Sequence, residues 1–193
     1  MARIPCVLLV CLLSPPKAAF ERLFPCLPER GAFERKEAEM PITIRKMTED
    51  DVPEVVTMIN GLATCHDDVP DIDAERLARD ALGPHPWATV LVADGGSQLL
   101  GYAALLPMAQ LQFGVRGMDM HHLFVCRDAR GNGVGAALVR ACQAEAREQD
   151  CSFMTVGTHP DNRKAGRFYE REGFLRRSGT GPRFSLRLDQ PPT

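Results

Sequence analysis

Apolar residues recur at intervals of three and four in several stretches of the chain, and this spacing predicts amphipathic helices. Thr48 followed by Asp51 is close to a capping box, and the helix after it has an apolar face formed by Val52, Val55, Val56, Ile59 and Ala63. A short helix is predicted over 74–82, where Gly83 ends it. A third helix begins at Val134. The face of a fourth helix carries Ala165, Phe168 and Tyr169.

Apolar runs between these helices predict strands. Ile42 and Ile44 alternate with polar neighbours. Further strands are predicted at 88–94, 99–108, 118–126 and 153–158. Gly95-Gly96 indicates a hairpin turn, and a last hairpin is predicted from 174–177 to 183–188. This order of elements predicts an α/β fold, with a mixed sheet that has helices on both faces.

Residues 1–39 do not share this pattern. Arg3 precedes a short apolar run, 4-IPCVLLVCLL-13, in the outline of a signal peptide. The run is interrupted by Pro5, and the glutamates that follow argue against a transit peptide. A start codon upstream of the true one, with Met40 as the real beginning, is a further alternative. We predict that 1–39 is an extension outside the fold and that 40–193 is one domain.

Composition excludes several classes of function. The 193 residues are 45% hydrophobic, which suffices for one globular core. A net charge of -2 does not favour nucleic acid as a partner, and the later apolar runs are too short and too interrupted to span a membrane. The seven cysteines include no CxxC pair, which favours reduced thiols in a reducing compartment.

The segment 130-RGNGVG-135 places three glycines between a predicted strand and a predicted helix. Each glycine weakens regular structure by about 0.5–1 kcal/mol relative to alanine. Backbone N–H groups at the start of a helix bind anions, and residues without a Cβ let phosphate oxygens approach closely. The spacing is neither a Walker pattern nor a full GxGxxG, and a tight turn without a ligand is the alternative.

Together with residues further along, this loop resembles the GNAT superfamily of acyl-CoA-dependent N-acetyltransferases. The family signature Q/R-x-x-G-x-G/A is matched by 130-RGNGVG-135. The asparagine, Phe-Tyr and Gly-Phe that follow in the family are matched by Asn162, 168-FY-169 and 173-GF-174. The resemblance covers about residues 41–188. It implies a GNAT-like, mostly antiparallel mixed sheet flanked by helices on both faces.

Within the superfamily, the chain looks closest to the diamine and spermidine/spermine acetyltransferases. The likeness lies in 83-GPHPWATVLVAD-94 and in the register from 121-HHLFV-125 to Tyr169. Those enzymes carry two adjacent acids where this chain has His121 and His122. Because the ammonium groups of a polyamine pair with carboxylates, this departure argues against polyamine specificity.

The resemblance implies acetyl-CoA as co-substrate and no metal. The CoA pyrophosphate would bind the N–H groups of the loop, formed by Gly131, Asn132, Gly133, Val134, Gly135 and Ala136. Arg130 would neutralise phosphate charge, and Asn162 would bind the CoA arm or cap its own helix. The CoA arm would also pair with the backbone of Leu123, Phe124 and Val125. A donor among them that meets the oxyanion is worth about 2.7–4 kcal/mol.

Tyr169 is the residue that the resemblance assigns as general acid to the CoA thiolate, although periodicity alone favours a core aromatic. The attacking amine must lose a proton, which costs about 4.6 kcal/mol at pH 7 for an alkyl ammonium. His121 stands where relatives place an acid, and histidine titrates in a suitable range, so we assign it as the base.

Neighbouring strand residues face opposite sides, so His121 and His122 are not expected to line one cleft, and a chelating metal pair is not expected. A β-bulge that reverses the facing is the alternative. We also place His121 at the acceptor site with His66 and Asp67. The acidic segment 66–73 either attracts a cationic amine or caps the next helix.

We therefore predict a cytoplasmic N-acetyltransferase, since acetyl-CoA is supplied inside the cell. It would transfer an acetyl group from acetyl-CoA to a primary amine of a small molecule by direct attack through a tetrahedral intermediate. The alternatives are a polyamine or protein-lysine acceptor and a CoA-binding module without catalysis. The resemblance is compatible with a homodimer, and neither nucleic acid nor a membrane is expected as a partner.

Overall fold

The computed structural model describes residues 42–64, 68–159 and 161–177. The strands are β1 Thr43–Lys46, β2 Thr89–Asp94, β3 Leu99–Gln110, β4 Val115–Val125 and β5 Cys151–Val156. The helices are α1 Val52–Thr64, α2 Ala74–Leu82, α3 Val134–Glu148 and α4 Arg163–Arg171. Short 3-10 turns lie at Glu49–Asp51, Leu111–Phe113 and Arg127–Ala129. Within the described ranges, no helix has the length and apolar character needed to cross a membrane.

The five strands form one sheet in the order in which they follow along the chain. The first four pair antiparallel, whereas β5 runs parallel to β4. Each face of this sheet is covered by helices. The predicted α/β fold, with a mixed and mostly antiparallel sheet between two helical layers, is therefore confirmed.

The two faces of the sheet bury different side chains. Helices α1 and α2 pack on Val90, Val92, Tyr102 and Phe124. Helices α3 and α4 pack on the opposite face, on Leu91, Ala103, Leu105, Met118, Met120, Leu123 and Val125. The alternation of side chains along each strand thus divides the apolar residues between two cores.

The hairpin of β3 and β4 is longer than the sequence predicts. Gln110 pairs with Val115 at its tip, and Gly114 closes the turn with a left-handed backbone, φ 62°. The strands therefore extend past the predicted bounds of 108 and 118, to Gln110 on β3 and from Val115 on β4.

The segment 174–177, predicted as the first arm of a last hairpin, is not a strand. Gly173 takes φ 91°, and the N–H of Phe174 then donates to the carbonyl of Tyr169 at 3.0 Å. This arrangement turns the chain back onto α4. The second predicted arm, 183–188, lies outside the described residues, as does the whole predicted extension 1–39.

Strand β4 loses its parallel partner halfway along its length. Met120 and Val156 form the last pair with β5 in the described structure, yet β4 continues to Val125. Its pairing with β3 shifts at the same point, because Ala104 pairs with His122 and the next residue of β3 pairs with Met120. His121 is therefore the extra residue of a β-bulge.

The carboxylate of Asp51 fixes the entry to α1. It accepts from the N–H of Thr48 at 2.8 Å, as the predicted capping box requires, and also from the hydroxyl of Thr48 at 2.9 Å. It also accepts two hydrogen bonds from Arg45, at 2.6 and 2.9 Å. Hydrogen bonding to Arg45 lowers the pKa of Asp51 to about 2, against the opposing effect of burial.

Asp51→Asn is expected to lower the free energy of unfolding at neutral pH. A pKa of about 2 in place of 3.8 corresponds to about 2 kcal/mol of stabilisation. Because the folded pKa is the lower one, this stabilisation is present above about pH 4 and is lost as the pH falls toward about 2. Urea unfolding of wild type and variant over this pH range measures the difference.

The matched control is Asp50→Asn, which changes the neighbouring exposed carboxylate. Its difference from wild type should stay within about 0.5 kcal/mol at every pH. A wild-type advantage over Asp51→Asn that does not shrink in acid would contradict the assigned role of Asp51.

Candidate active site

The edge of β4 beyond Met120 carries backbone groups that β3 does not use. The N–H of Cys126 donates to the carbonyl of Leu100 at 2.9 Å, so residue 126 faces β3. Since alternate residues of a strand face opposite edges, Leu123 and Val125 face away from β3. The carbonyl of Val125 also points away from β3, because it accepts a hydrogen bond from Nε of Arg130 at 2.9 Å.

The backbone of Phe124 points the other way. It is the partner of Tyr102 in the antiparallel ladder, and its N–H and carbonyl face β3. The prediction that a CoA arm pairs with the backbone of residues 123–125 therefore remains for Leu123 and Val125 and not for Phe124. Neither Leu123 nor Val125 has a partner on β5 among the described residues, because the last pair between β4 and β5 is Met120 with Val156.

Two of the three loop glycines have left-handed backbones, with φ 85° at Gly131 and 81° at Gly133. A Cβ built on either would meet nothing within 4 Å, so the space in front of them is open. Gly135 differs, because a Cβ there would lie 3.5 Å from the ring of Phe168 and 3.6 Å from the side chain of Val125. The first two shape the loop, whereas a Cβ at Gly135 would only make ordinary van der Waals contacts with its neighbours.

The loop ends as the N-terminus of α3. The N–H of Ala137 donates to the carbonyl of Gly133 at 2.9 Å, and this is the first turn of the helix. The three N–H groups before it, on residues 134–136, have no carbonyl of the same helix to bind. Arg130 begins the same loop, and its Nε donates a hydrogen bond to the carbonyl of Val125. The loop therefore combines a cation, a helix N-terminus and two glycines that have open space in front of them.

Tyr169 is buried, and its hydroxyl has no hydrogen-bond partner among the residues that the structure describes. Its ring contacts Phe168 and Phe174 edge to face, with centroids 5.3 and 5.6 Å away. It packs in the core cluster that also contains Leu123 and Val125. Burial raises the pKa of the phenol, so the hydroxyl remains a proton donor at neutral pH.

Asn162 is the N-cap of α4. Its side-chain oxygen accepts from the N–H of Ala165 at 3.1 Å, and the residue is 3% exposed. The structural interpretation of Asn162 is therefore confirmed. A contact with the CoA arm stays a prediction.

The expectation that His121 and His122 face opposite sides of the sheet is wrong. Their rings stack, with centroids 4.7 Å apart and planes 26° from parallel. The bulge at His121 accounts for this, because an extra residue interrupts the alternation of β4. His122 contacts Tyr102, so both rings lie on the face that α1 and α2 cover. No third ligand completes a metal site in the described part of the chain.

Further polar side chains extend from the histidines across this face. The hydroxyl of Thr155 donates to Oδ1 of Asp119 at 2.6 Å. The other carboxylate oxygen of Asp119 lies 3.8 Å from Nδ1 of His121. On the far side of the pair, the hydroxyl of Tyr102 lies 3.0 Å from Nδ1 of His122.

The sequence analysis did not identify Asp119, Thr155 or Tyr102 as part of the site. Asp119 lies two positions before His121 on one predicted strand, and the strand period of two is a signal that could have found it. Thr155 and Tyr102 lie on neighbouring strands. Only the register of the sheet brings them close to the histidines.

The acceptor residues His66 and Asp67 lie outside the described residues. Downstream in the same acidic segment, Asp73 accepts from the N–H of Arg76 at 2.8 Å and caps α2. Asp71 forms an ion pair with Arg76 at 3.0 Å. These contacts agree with the helix-capping interpretation for this part of the segment.

Several known proteins are similar to this chain in sequence, and solved structures share its fold. The chain is 25% identical over 139 residues to N-acetyltransferase YhfO of Bacillus subtilis, covering 72% of this chain and 93% of that protein. It is 26% identical over 142 residues to the thialysine N-epsilon-acetyltransferase of Sus scrofa, covering 68% and 83%.

A mammalian relative is longer. N-acetyltransferase 8F1 of Rattus norvegicus is 31% identical over 112 residues, which cover 58% of this chain and 48% of that protein. The chain therefore spans about half the length of this relative. Among solved structures, an aminoglycoside acetyltransferase from an uncultured soil sample superposes with a TM-score of 0.64 at 17% identity, over 76% of this chain and 97% of that one. At this identity the likeness concerns the fold alone.

The profile described as the Acetyltransferase (GNAT) family matches residues 55–174, which include the glycine loop, the free edge of β4 and Tyr169. The predicted superfamily is thereby confirmed. The chain belongs to the GNAT family of acetyltransferases, and it is an N-acetyltransferase.

Proposed function

We propose that this N-acetyltransferase transfers the acetyl group of acetyl-CoA to a primary amine of a small molecule, by direct attack of the amine on the thioester. The observation that carries the proposal is the end of pairing between β4 and β5 at Met120, beyond which the described edge of β4 has no partner on β5 and leads into the glycine loop. Members of the family use acetyl-CoA as co-substrate. A helix N-terminus suits a phosphate group, and a strand edge suits an extended chain with amides.

The residues present fit each part of CoA. The N–H groups at the start of α3 suit the pyrophosphate, and Arg130 would add a positive charge beside it. The N–H groups of Leu123 and Val125 would pair with the pantetheine arm. The Tyr169 hydroxyl, buried without a described partner, suits the thiol end.

Two proton transfers accompany the reaction. As the amine nitrogen attacks the carbonyl carbon, the amine gives up a proton, and His121 would accept it from the α1/α2 side of the sheet. As the carbon–sulfur bond breaks, Tyr169 would donate a proton to the thiolate. An N–H of Leu123 or Val125 directed at the developing oxyanion would contribute about 2.7–4 kcal/mol to the rate.

The acceptor is best sought first among free amino acids with a side-chain amine. By its name, the relative from Sus scrofa acts on the ε-amine of thialysine. The likeness of 83–94 to polyamine acetyltransferases makes a polyamine the second candidate. His121 and His122 weaken this candidate, because they replace the carboxylates that several ammonium groups would need.

A panel of amines tests the proposed function. The purified full chain is incubated with acetyl-CoA and thialysine, L-lysine, putrescine, spermidine or a lysine-containing peptide, and the released thiol is measured. Turnover is expected with thialysine or L-lysine and not with the peptide. Tight acetyl-CoA binding without turnover on any amine would support a CoA-binding module instead.

Gly133→Ala is expected to weaken CoA binding and to lower stability. The left-handed backbone costs a residue with a Cβ about 1–2 kcal/mol, and the Cβ enters the open space in front of the loop. We expect about a tenfold higher Kd for CoA in calorimetry, which corresponds to about 1.4 kcal/mol.

The matched variant for this test is Gly135→Ala. Its Cβ would make ordinary van der Waals contacts with the side chains of Phe168 and Val125, and alanine favours a helix over glycine by about 1 kcal/mol. This variant should be at least as stable as the wild type. Equal loss of CoA affinity in both variants would contradict the division of roles between the glycines.

Tyr169→Phe is expected to reduce kcat while the protein becomes no less stable. Loss of a general acid reduces the rate by about 10²–10⁴-fold. Removal of a buried hydroxyl without a partner relieves a cost of about 1–3 kcal/mol. Steady-state kinetics, the Kd for acetyl-CoA and thermal unfolding are measured on the same samples. Unchanged kcat would remove Tyr169 from the acid role, and unfolding at lower temperature would show that the hydroxyl has a structural partner.

A further inference from the structure

The stacked histidines have different neighbours at corresponding nitrogens. Nδ1 of His121 faces a carboxylate, Oδ2 of Asp119, at 3.8 Å. Nδ1 of His122 faces a hydroxyl, that of Tyr102, at 3.0 Å. A carboxylate at neutral pH only accepts hydrogen bonds, whereas a phenol can donate one. The protonated nitrogen of a neutral histidine is set by such partners.

Asp119 is held in place by a second contact. The hydroxyl of Thr155 donates to its Oδ1 at 2.6 Å, which leaves Oδ2 directed at His121. A separation of 3.8 Å is longer than a hydrogen bond, but such contacts at catalytic histidines are often long before substrate binds and shorten afterwards. The carboxylate therefore favours a proton on Nδ1 of His121.

Tyr102 has the opposite effect on its neighbour. The residue is fully buried, and His122 is the partner that its hydroxyl contacts. Burial raises the pKa of this phenol, so it keeps its proton. If Nδ1 of His122 were the donor, the phenol proton would be buried without an acceptor among the described residues, which is costly. Donation from Tyr102 to Nδ1 avoids this cost and places the proton of His122 on Nε2.

We propose that the two stacked histidines are held in opposite tautomers, with Asp119 as the positioning residue that keeps His121 protonated at Nδ1 and so presents the lone pair of its Nε2 to the acceptor amine. The inference rests on the proposed function, in which His121 is the base. It adds that the two histidines have different roles. His121 accepts a proton at Nε2, while His122, fixed by Tyr102, carries a hydrogen there and serves as a donor.

The tautomers also determine where the transferred proton is stabilised. When Nε2 of His121 takes the proton from the ammonium, the ring becomes a cation, and Asp119 is the adjacent anion. Two positive charges on rings whose centroids lie 4.7 Å apart would repel each other. The pair thus accepts one proton at one defined nitrogen.

Nitrogen-15 NMR of the histidine rings tests the tautomers without any need for turnover. The full chain, labelled at histidine, is measured at about pH 8.5, well above the usual histidine pKa of about 6.5. His121→Gln and His122→Gln assign the signals among the five histidines. Protonated Nδ1 in His121 and protonated Nε2 in His122 are expected. The same tautomer in both rings would overturn the proposal.

Variants test which side chain sets each tautomer. In Asp119→Asn, the His121 signals should move toward the Nε2-protonated form, and in Thr155→Val they should move part of the way. In Tyr102→Phe, the His122 signals alone should change. Asp50→Asn, at an exposed aspartate on the turn before α1, is the matched control and should change neither ring. A His121 tautomer that is indifferent to Asp119 would refute the positioning role.

Kinetics with thialysine as acceptor separate positioning from substrate binding. Asp119→Asn is expected to lower kcat by about 10²-fold, with unchanged KM for thialysine and for acetyl-CoA. A higher KM for thialysine at unchanged kcat would assign Asp119 to acceptor binding and refute the proposal. If no amine is acetylated by the wild type, the proposed function fails, and the NMR tautomers still decide the inference about the histidine pair.

Discussion

The early end of pairing between β4 and β5 is the constraint on which the candidate site depends. The last described pair joins Met120 to Val156, and β4 then runs on to Val125 with β3 as its only neighbour among the described strands. A continuous parallel pair would consume the N–H groups of Leu123 and Val125. The bulge at His121 follows the last pair directly, and because bulges bend a strand and increase its twist, it belongs to the same departure of β4 from β5.

Local features of the chain were predictable because local interactions determine them. Apolar spacing located the four helices, and the prediction of 74–82 agrees with α2 Ala74–Leu82. The glycine loop was predictable because glycine is the residue that tolerates the backbone found at Gly131 and Gly133. The lengths of β3 and β4 were underestimated, since the strands extend through mutual pairing at their tip and not through apolar character.

The arrangement of the histidines could not be predicted by the same reasoning. The stretch 118-MDMHHLFV-125 contains no glycine or proline that would indicate a bulge, so strict alternation was the default. The bulge depends on the register of β4 against β3, which is a property of two strands. For the same reason Tyr102 and Thr155 were missed, because each reaches the site from a different strand.

In the proposed mechanism, proton donor and proton acceptor approach the reaction from opposite faces of the sheet. Tyr169 lies on α4 and packs in the core that α3 and α4 form with the sheet, whereas the histidines lie with Tyr102 on the face of α1 and α2. In an unbroken sheet these groups would be separated by a layer of paired backbone. In that mechanism, the early end of pairing between β4 and β5 interrupts the layer, so that an amine from one face would meet a thioester held along the edge of β4. Such a separation would also keep the phenol from donating its proton directly to the base, so that the acid and the base would act on different atoms of the same transition state.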